Sequence, residues 1–128
     1  MAGKQLIVTC FNKKFEEFLG DLITTFPEDR DFRDFKNSFN LLKNIDDKKP
    51  IQIFQMYAPM YRDQLLSRNE QFFLQNDYSE LSQEKNITSE LIAKLKNYWV
   101  ELNEENRDIV WKYLIILINL VEKHSAAA

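Results

Sequence analysis

Ile109-Val-Trp-Lys-Tyr-Leu-Ile-Ile-Leu-Ile-Asn-Leu-Val121 is the run that decides the fold class. From Tyr113 to Ile118 it carries no charge on any face, and a helix that is apolar all round has to be covered by other helices. The run is bracketed by Lys112 and Glu122 and falls short of the ~20 apolar residues of a membrane span. Asn103 opens it, and Glu104 and Glu105 occupy the first turn, where the helix dipole favours anions. Lys123 and His124 close it at the pole that favours cations. The expected architecture is therefore all-α, a single-domain bundle of five to six helices around an apolar C-terminal helix. Residues 1–124 form the helical domain, and 125–128 read as a disordered tail or an artificial remnant.

The rest of the chain supplies the cover. Between Gln5 and Phe26, the residues Phe11, Phe15, Phe18, Leu22 and Phe26 recur at gaps of four, three, four and four, the amphipathic helical period. Pro27 stops that helix, because the residue before a proline is pushed out of the α region. Phe32, Phe35, Phe39 and Leu42 mark a second helix over about 31–45, with Asp29 or Asp31 as its cap. Pro50 suits the first turn of a third helix, where its missing N–H would be unpaired anyway. Ile51, Phe54, Tyr57 or Ala58, Tyr61 and Leu65 line one face of it, and Pro59 predicts a kink or break. Ser67-Arg-Asn-Glu70 has the form of a capping box before a short fourth helix, about 68–75. The polar stretch 76–86 reads as a long loop. Thr88 or Ser89 is expected to cap a fifth helix, which buries Leu91, Ile92, Leu95, Tyr98, Trp99 and Leu102.

Composition bounds the function. Ten Phe, five Tyr and two Trp in 128 residues argue for a packed core, while two Gly and three Pro are too few for a turn-dense β-sandwich. A net charge of −3 speaks against a generic polyanion binder. The single Cys10 cannot pair within the chain, and the N-terminus lacks the pattern of a signal peptide, so an intracellular protein without membrane association is expected.

For chemistry the inventory is sparse. Cys10 and His124 are the only thiol and imidazole, and no spacing brings them together. No metal, dinucleotide or phosphate-loop motif occurs, so no catalytic residue, metal ligand or cofactor is assigned. The run Glu28-Asp-Arg-Asp-Phe-Arg-Asp34 has the alternating carboxylates of a calcium loop but lacks its glycine at position six and its glutamate at position twelve. Helix capping accounts for those acids. Asn86-Ile-Thr88 matches a glycosylation sequon that matters only in a secreted chain. Phe54, Tyr57 and Tyr61 could stack bases, but at helical spacing they read as core.

Two surface features remain. Arg30, Arg33, Lys36, Lys43, Lys48 and Lys49 form the most basic stretch, able to neutralise phosphates of double-stranded DNA or a nucleoprotein without reading sequence. The solvated face of an amphipathic helix is the competing reading, with Asp34, Asp46 and Asp47 diluting the field. The apolar surplus of the last helix predicts a patch for a second copy, a symmetric homodimer, with Trp111, Ile115 and Ile118 as candidate interface residues.

The phrases FEEFLGDLITTFPEDRDF (15–32), APMYRDQLLSRNEQFFLQNDYSEL (58–81) and YWVELNEENRDIVWKYLIILINL (98–120) resemble small helical proteins of unassigned activity from giant nucleocytoplasmic DNA viruses of the marseillevirus type. The resemblance implies a viral protein located in the host cytoplasm, virus factory or nucleus, or in the virion. It further implies a structural or packaging role with a viral or host protein partner, and raises the prospect of association with DNA.

Overall fold

Two antiparallel helices, α1 (Ala2–Thr25) and α6 (Glu104–Ala126), hold the centre of the computed structural model, which describes residues 2–75 and 87–127. The end of α1 meets the start of α6: Phe18 stacks on Tyr113 at 4.9 Å, and Tyr113 hydrogen-bonds Asp21. At the opposite end Val8 and His124 share one cavity wall. The phenylalanine period of α1 puts Phe11, Phe15 and Phe18 on one side together with Leu19 and Leu22, and all five are buried. The facing stripe of α6, Val110, Leu114, Leu117, Ile118 and Val121, is buried as well. Fully burying each such side chain contributes about 1.5–3 kcal/mol relative to exposure.

The second helix, α2 (Arg30–Ile45), crosses back along α1. Phe39 stacks on Phe15 at 5.0 Å and Phe32 on Phe26 at 5.6 Å. Asp29 is its N-cap, accepting the Asp31 N–H at 2.9 Å. The turn into the next helix is fastened to α1 by polar contacts. Asn12 donates to the Asp47 carbonyl at 2.9 Å, and Gln5 donates to the Asp47 carboxylate at 2.8 Å.

Next, α3 (Lys49–Leu66) starts with Pro50 in its first turn and buries Ile51 and Phe54. It lies antiparallel to α6, joined by Gln55 with Ser125 at 2.6 Å and by Arg62 with Glu122. Of the kink or break expected at Pro59, the break does not occur; α3 is one element. A proline removes one helical hydrogen bond, and this helix is docked on both sides of it, at Phe54 and at Leu65.

The capping box is also overturned. Ser67 ends α3 instead of starting α4 (Glu70–Gln75), and its hydroxyl donates back to the Gln64 carbonyl at 3.2 Å. Arg68 takes the left-handed conformation, φ 53°, so the N–H groups of Asn69 and Arg68 close onto Gln64 and Leu65. That pattern satisfies carbonyls left over at a helix end.

The expected 76–86 loop lies outside the described residues. After it, α5 (Ile87–Tyr98) continues into a 3-10 turn, Trp99–Glu101. Thr88 and Ser89 fall inside that helix, so neither is its cap. Leu91, Leu95 and Trp99 are buried, with Trp99 edge-on to Trp111 at 5.1 Å. Asn103 caps α6, accepting the Asn106 N–H at 2.8 Å. At its far end α6 runs on to Ala126, so Ser125 and Ala126 are helical. No strand occurs among the described residues, and no helix there is long and apolar enough to cross a membrane.

Candidate functional site

The six cations of the basic stretch differ in their surroundings. In a helix, residues four apart are neighbours, and Lys36 and Lys43 each follow a core phenylalanine, Phe32 and Phe39, by four. Both are consequently half-buried on the flank of α2. Lys43 reaches Glu16 of α1 at 3.6 Å and lies 5.7 Å from the Phe39 ring centre. Arg33 is exposed but donates to the Pro27 carbonyl at 2.8 Å. Lys48 turns toward α1 and α6, where it lines a cavity with Lys4 and His124. Arg30, Lys36 and Lys49 make no salt bridge among the described residues.

The acidic run is occupied by a side-chain cation. Lys94 of α5 sits 3.0 Å from Asp29 and 2.6 Å from Asp31, and Tyr98 donates to the same Asp29 carboxylate. Burial pushes the Asp29 carboxyl up, but the bonds from Tyr98, Lys94 and the Asp31 N–H outweigh it and hold the group below its ordinary value. Hydrogen bonding to Asp31 leads the causes that raise Lys94. The arrangement clamps α5 onto the start of α2. Among the described residues no group of three or more His, Cys, Asp or Glu is placed to hold a metal ion.

The candidate interface residues need correction. Trp111 and Ile118 are 5% and 1% exposed, built into the monomer core, and Ile115 is half-buried. A side chain already enclosed by its own chain has no surface left to offer a partner. The outward isoleucines of α6 are Ile109 and Ile116, at 37% and 38% exposure. With the half-buried Tyr113 and Leu120 they form a line at gaps of four, three and four. Tyr113 is fixed within that line: burial first, then its bond to Asp21, pushes the phenol up to about 12.

His124 departs most from expectation. In place of a cation pairing with the helix dipole, it is 7% exposed, and burial, followed by repulsion from Lys4 and Lys48, holds it below its ordinary value. Its Nδ1 is enclosed without a hydrogen-bond partner. Cys10 is exposed on α1. Phe54 is core, edge-on to Phe11 at 5.6 Å, which removes it from any stacking platform, while the side chains of Tyr57 and Tyr61 and the sequon at Asn86 lie outside the described residues. Lys4 had no local signal to mark it; only the antiparallel pairing of α1 with α6 brings it to His124. Comparison with protein-family models, curated proteins and solved structures returned no match.

Proposed function

We propose that this chain is a non-catalytic interaction module that self-associates through the outer edge of α6. The observation that carries the reading is the line Ile109, Tyr113, Ile116 and Leu120, whose spacing is that of a coiled-coil seam and whose two isoleucines stay more than one-third exposed. Its inner neighbours are committed to the core, so this edge is what α6 has to offer a second copy. The seam covers three helical turns, roughly 16 Å, which suits reversible pairing between symmetric copies. With the resemblance of its phrases to giant-virus proteins, the module is a structural or packaging component that assembles in an infected cell and presents its remaining surfaces to a viral or host protein.

Ile116 lies near the middle of the seam, so a two-fold axis places the two copies of it close together. Ile116→Cys in a Cys10→Ser background is expected to cross-link two protomers under mild oxidation, whereas Asn37→Cys, on the exposed face of α2, is not. Equal cross-linking at both positions, or none at 116, contradicts the seam.

A second reading, binding of duplex DNA phosphates, rests on Arg30, Lys36 and Lys49, which no acid neutralises among the described residues. It requires a gel shift at low salt that weakens as salt rises and is lost on replacing those three by Glu.

A further inference from the structure

Three elements converge on a cavity of about 370 Å³ at the end of the bundle where α1 begins and α6 ends. Lys4, Gln5 and Val8 come from α1, Lys48 and Gln52 from the start of α3, and His124 from α6. Apart from Val8, every lining side chain among the described residues can donate a hydrogen bond, and none of them is a carboxylate. The nearby acids already have partners: Asp47 accepts from the Gln5 side chain, the Asp46 carboxylate accepts the Lys48 backbone N–H, and Glu122 pairs with Arg62. His124 is more than nine-tenths buried, with Nδ1 enclosed and unpartnered. A buried polar atom without a partner is destabilising, and two ammonium groups beside an imidazole, with no acidic side chain among the described lining residues, repel one another. The positive pole at the start of α3 adds to the same field.

We infer that this cavity binds a small phosphomonoester, its phosphate seated between Lys4 and Lys48 with His124 as the third cationic ligand. A phosphate dianion answers both ammonium groups at once and accepts from the Gln52 carboxamide and from the Gln5 N–H that Asp47 does not use. The volume lies at the small end of ligand pockets, enough for a phosphate with a compact organic group. The inference stands independently of self-association, since none of these residues belongs to the Ile109–Leu120 seam.

His124 is the only histidine in the chain, so its imidazole gives an isolated proton NMR signal. Without anion, burial and then the lysines disfavour its imidazolium; a phosphate opposite reverses the lysine effect and favours it. Inorganic phosphate at constant ionic strength is expected to raise the titration midpoint of His124 by about one pH unit or more, as for an opposite charge within ~4–6 Å. A nucleoside 5′-monophosphate is expected to do so at lower concentration. Lys4→Gln with Lys48→Gln, both outside the core, should abolish the shift while leaving the helical circular dichroism unchanged. As an independent readout, phosphate should raise the thermal midpoint of the unaltered protein and not of the double variant. A midpoint unmoved by phosphate, or a shift that survives in the double variant, overturns the inference. A shift produced by a short DNA duplex and not by either small phosphate overturns it equally and assigns the lysines to a polyanion surface.

Discussion

Asp29 performs three tasks with one carboxylate: it caps α2, accepts from Tyr98 and pairs with Lys94. Asparagine is as good an N-cap as aspartate, so Asp29→Asn isolates the charge from the cap. Losing charge-assisted bonds at a site only partly reached by water is expected to lower stability by about 1–2 kcal/mol at neutral pH, read from urea unfolding. A carboxyl held below its ordinary value when folded contributes stability above the unfolded value, near 3.8, and loses it as pH falls through the folded value. The wild-type advantage should accordingly be full at neutral pH and fade below about pH 4. An unchanged gap at low pH would place the effect in shape and not in charge. The acids of 28–34 were legible as capping groups from their position before Phe32. Their partner was not, because Lys94 lies more than sixty residues away and nothing local marks it.

Among the elements, α3 shows where sequence reading and packing part company. Pro50 starts the helix as its fixed φ and missing N–H require. Pro59 has the same chemistry in the helix interior, and there tertiary contacts on either side override the local penalty. Pro59→Ala restores the missing N–H to the ladder and is expected to stabilise the protein by about 1–3 kcal/mol in a urea melt. A loss of stability would mean that α3 needs the bend a proline sets. Ser67-Arg-Asn-Glu70 failed for a related reason: the four letters fit either the start of one helix or the end of another, and the left-handed Arg68 decides for the end. In α2 the phenylalanine period fixed the buried face correctly. Within the basic face, Lys36 and Lys43 are half-buried because they follow those same phenylalanines by one turn.

For the whole molecule, the apolar run at the C-terminus gave the right class and the right centre, with one amendment. The core is a pair, α1 with α6, and the aromatic side chains of α1 bury as completely as the aliphatic ones of α6. The inward–outward division along α6 could not be read from the run itself, since a stretch apolar on every side carries no period to tell Trp111 and Ile118 from Ile109 and Ile116. Only the direction from which α1 and α3 approach makes that distinction. The inner stripe of α6 holds the monomer together, and the proposed self-association assigns the outer edge, with Ile109 and Ile116, to a second copy.

Sedimentation equilibrium on the unaltered protein and on an Ile109→Glu, Ile116→Glu variant tests that division most directly. Over about 1–100 micromolar, the account expects the unaltered chain to approach twice its 15.3 kDa mass. The variant should stay at the monomer mass with unchanged helical circular dichroism. A wild-type chain that remains monomeric throughout that range, or a variant that still dimerises, contradicts it.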